Sequence, residues 1–382
     1  MKLYNTFSQK NELLDLKQNI GIYVCGITPY DTTHIGHAFT FIIYDTLVRY
    51  LQFLDAKVTY VQNVTDIDDD ILIKAKSLGI TWKTLGLRET EKHLKNMNAL
   101  NTLKPDFYPK ATENINQMIT IIQKLIAKKL AYIKNGSVYF SVKKDRNFGK
   151  LSKYGYSAML EIANERGNYP LDLNKIDPLD FVLWQSKKEG EPSWPSPWGN
   201  GRPGWHIECS AMSMRYLDST VTIHGGGTDL IFPHHEAEIS QSENFSNKKF
   251  VKIWMHTAMV YCQGKKMSKS LGNMVFVSEL LKNYDANTVR IMLLLHHYRK
   301  PWNFVEEELD KAKQLSEIFR RFITQKVVGK QKTRKEPPDF FNNLEDDFQV
   351  NKALKYLQKN ALAKKIPADT LKTCLSAIGI AY

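Results

Sequence analysis

IGIYVCGITPYDTTHIGHAFTFIIYDTLVRYLQFL, residues 20–54, decides the fold. Its opening, IGIYVCGITPYD, is apolar and β-branched and ends in a proline-marked turn, the pattern of a buried strand. HAFTFIIYDTLVRYLQFL then carries apolar residues at helical spacing, so a strand, a loop and a helix follow in order. The next stretch, KVTYVQNVTDIDDDILIKAKSLG (57–79), repeats the pattern with an alternating strand, an acidic turn and another helix. Strand and helix in alternation predict a parallel α/β sheet.

The rhythm breaks in the middle of the chain and then returns. Residues 84–132 read as mostly helical, SVYFSV (137–142) as a short strand, and 151–203 as loop-rich. Within that last region WQSKKEGEPSWPSPWGNGRPGW is crowded with Gly, Pro, Ser and Trp, and its tryptophans call for a packing surface. STVTIHGGGTDLIF (219–232) restores a strand, HHEAEISQSENF (234–245) a helix and FVKIWMHTAMVY (250–261) a further strand. The sheet is therefore split by an insertion. From about 305 the chain is helical, broken by the charged connection KVVGKQKTRKEPPD (326–339).

At 382 residues, two or three domains are expected, and 43% apolar with 24% charged residues is a soluble, globular composition without a bilayer-crossing run. The polar start MKLYNTFSQKNELLDL lacks the sections of a signal peptide, so a cytoplasmic location is expected. Cys25, Cys209, Cys262 and Cys374 lie far apart in no disulfide framework, which leaves metal binding or catalysis for any functional thiol. Lys plus Arg exceed Asp plus Glu by 53 − 40 = 13, a balance that suits anionic partners.

HIGH, at His34–His37, falls where a strand hands over to a helix, so backbone N–H groups at the positive helix end suit a phosphate, and Gly36 permits close approach. KKMSKS (265–270) gathers lysines and hydroxyls in a glycine-flanked loop able to close over a polyphosphate. HIGH early, KMSKS late and a split parallel sheet between them resemble the class I aminoacyl-tRNA synthetases. The resemblance implies that His34 and His37, with Lys266 and Lys269, stabilise pyrophosphate departure when ATP adenylates an amino-acid carboxylate.

Cys25 just ahead of HIGH, Cys209 in GRPGWHIECSAM, and His234 with Glu238 in FPHHEAEISQ supply two thiolates, an imidazole and a carboxylate, a donor set suited to zinc. The spacing of four puts His234 and Glu238 on one helix face. Such a zinc accepts a substrate thiol and discriminates against the harder serine hydroxyl, which predicts cysteine as the substrate. YVCGITPYD, YVQNVTDIDDDI, SWPSPWGNGRPGWHIECSAMS, HGGGTDLIFPHHE and GKKMSKSLGN together resemble the cysteinyl-tRNA synthetase family from about residue 20 to 310.

That resemblance implies a Rossmann-like catalytic domain in two halves, 1–95 and 201–255, interrupted by a connective insertion at 96–200. A KMSKS subdomain at 256–310 and a short helical C-terminal domain at 311–382 follow. It places Cys25, Cys209, His234 and Glu238 on zinc-ligand positions, and Cys25, Gly26, Thr28, Thr40, Asn63, Thr65, Trp205 and His224 around the cysteine. Gly36, Gly227, Thr228, Asp229, Val260 and Lys269 fall on ATP or adenylate positions, with Mg2+ accompanying the ATP. Asp66, Asp68 and Asp69 read as a solvated or capping turn rather than a second metal site, and Cys262 and Cys374 as structural.

The acceptor has two readings. ITPYDTTHIGHAFT, WKTLGLRET, SWPSPWG and MVFVSEL resemble the mycothiol cysteine ligase, a paralogue that joins cysteine to a sugar amine, and ERGNYP (165–170) partly resembles its ERGGDP motif. Few residues follow LEDDFQVNKALKYL, fewer than an anticodon-reading domain needs. These features favour a small-molecule amine, with transfer to the 3′ end of tRNA(Cys) as the alternative; Glu238 belongs to the synthetase pattern. A non-catalytic tRNA- or protein-binding paralogue is the third reading, and a monomer is expected.

Overall fold

The computed structural model describes residues 1–31, 33–267, 271–324 and 337–382. Lys269 and the connection from 326 to 336 lie outside the described residues. Four strands, Ile20–Ile27, Val58–Val64, Val221–Gly227 and Val251–Thr257, form a sheet in which every pairing is parallel. Its spatial order is Val251–Thr257, Val221–Gly227, Ile20–Ile27, Val58–Val64. The strand alternation divides two apolar cores: Ile22 and Val24 pack with helix Ile35–Phe53, whereas Tyr23 and Cys25 pack with helices Ile115–Ala127 and Trp205–Leu217.

The first strand lies between the second and the third, so the chain turns away from it in opposite directions at that point. In open α/β sheets the crevice beyond the carboxyl ends of such neighbouring strands receives the ligand. Here those ends carry Cys25-Gly26-Ile27 and Gly225-Gly226-Gly227. Two glycines are dictated by crowding. A Cβ on Gly26 would lie 1.7 Å from the Asn63 carbonyl oxygen, and one on Gly225 would lie 1.8 Å from the Tyr44 hydroxyl.

Several expectations need revision. The stretch 84–132 holds two helices, Trp82–Ala99 and Ile115–Ala127, separated by chain that runs along the sheet and bridges Val61 to Phe107 and Val64 to Lys110 in parallel. The loop-rich insertion contains a four-stranded antiparallel sheet, Ala131–Lys134, Ser137–Phe140, Phe181–Ser186 and Gly201–Pro203. Its tryptophans find their surfaces there: Trp184 meets Trp198 edge-on at 6.0 Å, and Trp194 meets Trp82 at 6.4 Å. FVKIWMHTAMVY is two strands in different sheets. Val251–Thr257 ends the parallel sheet, and Val260–Cys262 pairs with Lys265–Lys266 and Trp302–Phe304. The acidic turn is structural, since Asp68 caps helix Asp69–Ser77 and Asp66 accepts from the Thr112 N–H and hydroxyl.

Helices Glu307–Thr324, Pro338–Glu345, Val350–Leu362 and Ala368–Ala377 share one apolar core with helix Ile35–Phe53. Phe53 stacks on Phe341 at 5.7 Å. A buried ion pair binds the same elements: Arg290 Nη2 lies 2.7 Å from Asp45 Oδ2 with both side chains sealed from water. Arg290 also donates to the carbonyls of Leu100 and Ile378. Removing one member strands the other charge in the core. Asp45→Asn is therefore expected to cost about 3–5 kcal/mol of stability, read as a large fall in the thermal unfolding midpoint.

Candidate active site

The donors predicted for a metal converge from three separate segments. Cys25 comes from the first strand, Cys209 from helix Trp205–Leu217, and Glu238 from helix Glu236–Ser246. His234 stands in the turn Ile231–His235 just ahead of that last helix. Cys25 Sγ lies 3.8 Å from Cys209 Sγ and 3.7 Å from Glu238 Oε1, and His234 Nε2 lies 3.2 Å from Glu238 Oε1. With bonds of about 2.0–2.3 Å, the edges of a tetrahedral metal site measure about 3.3–3.8 Å. The spacing fits a metal, and the thiols are free rather than bridged.

Electrostatics agree. Glu238 is fully buried, and its Oε2 has no hydrogen-bond partner among the described residues. Burial pushes the Glu238 carboxyl and the Cys25 thiol up, and holds His234 and His235 well below the usual imidazole range, so those rings are neutral with lone pairs available. A buried carboxylate whose nearest bases are neutral imidazoles, His234 Nε2 at 3.2 Å from Oε1 and His224 Nε2 at 3.3 Å from Oε2, calls for a cation, and metal binding deprotonates the thiols.

Sequence reasoning missed part of the cluster. His235 Nε2 lies 3.3 Å from Cys25 Sγ, and Cys25, His224, His235 and Glu238 form a second set of donors within reach of one ion. His224, expected beside the substrate, thus sits within the cluster itself, 3.6 Å from Cys25 Sγ. The two-sulfur set offers the softer ligands. His234 Nδ1 meets His206 Nδ1 at 3.0 Å, and His235 Nδ1 meets His256 Nε2 at 2.8 Å, so each ring is oriented from behind. The doubled histidine of FPHHE and the His in GWHIEC were the available signals; His256, inside an apolar strand, gave none.

The remaining predicted contacts surround this base. Trp205 stacks on His234 at 4.3 Å. Asn63 Oδ1 accepts the Gly26 N–H at 2.8 Å and faces Cys209 Sγ at 3.7 Å, while the Thr65 N–H donates to the Ile27 carbonyl. Thr28 follows on the same strand end and is half-buried. Thr40 shares a 2.7 Å hydrogen bond with Thr257, whose hydroxyl lies 3.3 Å from the Gly226 carbonyl, so the HIGH helix is joined to the glycine-rich strand end. Val260 is buried opposite Trp302, in the small sheet that carries the lysine loop.

At the HIGH turn one expectation changes. The helix N-terminus does not present all its N–H groups: His34 caps it, Nδ1 accepting from Gly36 N at 3.0 Å and His37 N at 3.4 Å. An accepting Nδ1 carries no proton, so the neutral ring holds its proton on Nε2. Burial, with His37 and Lys266 nearby, holds His34 down to about 2 and keeps it neutral. His37, itself exposed, stacks on it at 3.8 Å. Met267 reaches over Gly36, and backbone bonds join Ile35 to Val275 and Val277 to Thr33, tying the lysine-loop segment to HIGH. Gly227 and Thr228 lead into Asp229, whose carboxylate folds back over Gly227.

The model of the class I (C) tRNA synthetase catalytic domain matches residues 13–314. The chain is 45% identical over 378 residues to the cysteine–tRNA ligase of Thermodesulfovibrio yellowstonii, covering 93% of this chain and 76% of that one. It is 48% identical over 321 residues to that of Cronobacter sakazakii, covering 82% and 68%. The methionyl-tRNA synthetase of Mycobacterium tuberculosis, in complex with methionyl-adenylate, superposes with a TM-score of 0.66 at 12% identity, over 94% of this chain and 89% of that chain, a likeness of fold. These relatives favour tRNA over the small amine as acceptor, against the expectation from the ligase-like motifs. No helix among the described residues is long and apolar enough to cross a membrane.

Cobalt(II) added to metal-free protein is expected to bind in one equivalent with intense thiolate-to-metal absorption. Cys209→Ser should remove roughly half of that band, and Cys262→Ser and Cys374→Ser should leave it intact. An unaltered spectrum for Cys209→Ser would reject the two-sulfur site.

Proposed function

Because the chain belongs to the cysteinyl-tRNA synthetase family of class I tRNA synthetases, we propose that it activates L-cysteine with ATP and transfers it to the 3′ end of tRNA(Cys). The carboxylate of cysteine attacks the α-phosphorus, cysteinyl-adenylate forms and pyrophosphate leaves. A ribose hydroxyl of the tRNA then displaces AMP to give the ester. The observation that carries this reading is the sulfur-rich donor cluster at the base of the same crevice whose rim bears HIGH.

Cys25, Cys209, His234 and Glu238 would hold zinc, which when bound supplies a soft acceptor for the substrate thiolate. The chain's own residues do the rest. Trp205, fixed against His234, and Thr65 and Asn63, at the end of the neighbouring strand, wall the pocket for the short side chain. Gly227 admits the nucleotide to the backbone, and Asp229 accepts from ribose hydroxyls. His34 donates from Nε2 to phosphate oxygens as their charge grows, because its Nδ1 is already occupied by the helix. His37, Lys266 and Lys269 complete the clamp on the departing pyrophosphate. Selection between cysteine and serine lies in the metal–sulfur contact, so no second site is required for it.

Cysteine-dependent exchange of pyrophosphate into ATP is expected without tRNA, with serine disfavoured on the order of 10⁴-fold. Acid-precipitable cysteine on purified tRNA(Cys) is expected next. Exchange without that charging, together with conjugation to a glucosaminyl amine, would return the acceptor to the small-molecule reading. His34→Asn separates the two roles of that residue. Asparagine retains the helix cap, so the fold should stand, while loss of the Nε2 donor should lower kcat for exchange by roughly 10²–10³ with the KM for cysteine unchanged.

A further inference from the structure

ERGNYP is the motif in the sequence whose role the activation chemistry leaves open. Arg166, at its centre, follows insertion helix Tyr156–Asn164 and reaches across to the loop between strand Val221–Gly227 and helix Glu236–Ser246. One nitrogen, Nη1, donates to the carbonyls of both Asp229 and Phe232. These two residues bracket a change of direction. Thr228–Leu230 is a tight 3₁₀ turn, and Phe232 is extended, at φ −139° and ψ 136°, two residues before the His234 donor.

The insertion grips the same loop at further points. The rings of Phe148 and Tyr154 meet Phe232 edge-on at 6.1 and 6.2 Å. The Leu151 and Ser152 N–H groups donate to the buried Glu236 carboxylate at 3.0 and 2.8 Å. A segment with two direction changes and no regular ladder through Phe232 would otherwise sample several backbone paths. Held at both carbonyls, it has one.

We infer that Arg166 is a positioning residue for the nucleotide: by bridging the Asp229 and Phe232 carbonyls it sets the Asp229 carboxylate where the adenylate ribose must lie. The connective insertion thereby contributes to ATP selection. This rests on the proposed role of Asp229, and it gives ERGNYP a task common to either acceptor. Both bonds are charge-assisted and leave from the one nitrogen, so the two carbonyls are held at a common point.

The test is pyrophosphate exchange by the full chain with ATP and with 2′-deoxy-ATP and 3′-deoxy-ATP. For Arg166→Ala, the KM for ATP should rise roughly ten- to a hundredfold, since small misplacement of a positioning group costs about that much. The preference of ATP over its deoxy analogues should shrink, while cobalt absorption and the KM for cysteine stay at wild-type values. Added guanidinium should restore part of the preference. A wild-type KM for ATP and wild-type preference would overturn the inference, as would a parallel loss of cysteine affinity and metal, which marks general loosening. Should Arg166→Ala not fold, Arg166→Met, which keeps the stem and removes the donors, is read by the same two ratios, with unchanged values again overturning it. Absence of exchange in the unmodified protein would reject the proposed function instead, so the two failures are distinct.

Discussion

Glu238 can remain ionised where the fold puts it only with a positive charge beside it. Its side chain has no exposed surface, its neighbours are two thiols and three neutral imidazoles, and one of its oxygens has no hydrogen bond. Isolated in that way, a carboxylate would pay several kcal/mol in lost hydration. A dication held by the same groups reverses the balance, because the Cys25 thiol, which burial alone would keep protonated, becomes a thiolate ligand. The constraint reaches beyond the cluster. Three segments, far apart along the chain, must be brought to one point, and the parallel sheet with its interrupting insertion is the device that does so.

The base of the crevice and its rim are one assembly. Thr40 on the HIGH helix, Thr257 at the end of a core strand and the Gly226 carbonyl form a continuous polar link across the sheet end. The segment following the lysine loop pairs through its backbone with Thr33 and Ile35. His34 draws on this rigidity: its ring closes the helix terminus with one nitrogen and leaves the other, protonated, free for the phosphates of the proposed reaction. Capping and catalysis thus make opposite demands on the two nitrogens of a single imidazole, and the neutral tautomer meets both.

Much of this was legible in the sequence because it depends on local pattern. The strand–turn–helix units at 20–54 and 57–79 announce themselves by periodicity, and His234 with Glu238 by spacing. What escaped depends on partners distant in the chain. Phe181–Ser186 lies in a stretch whose glycines, prolines and tryptophans resemble a linker, and its identity as a strand comes from pairing with Ser137–Phe140 and Gly201–Pro203. FVKIWMHTAMVY reads as one apolar run, yet its two halves join different sheets, a choice that periodicity does not encode. His256 was invisible as a member of the cluster because an isolated histidine in an apolar strand carries no sign of the ring it will face, whereas His206 and His235 lay in motifs whose other residues drew the reading. The capping of HIGH by its own first histidine is a conformational fact at the level of φ and ψ, with no signature in residue type.

The acceptor illustrates how a motif can mislead by being real. ERGNYP does resemble a motif of the amine ligase, yet two of its polar side chains are engaged within the protein. Arg166 holds the carbonyls of Asp229 and Phe232, and Asn168 donates to Asn164 and to the Pro178 carbonyl while accepting from Lys175. On the inference drawn for Arg166, the motif serves the activation site, which both acceptor classes require. The motif therefore reports on the half-reaction that the two branches share. Similarity spread over most of the chain weighs more heavily on the acceptor than any six residues, because an acceptor the size of tRNA is recognised by extended surface rather than by one loop.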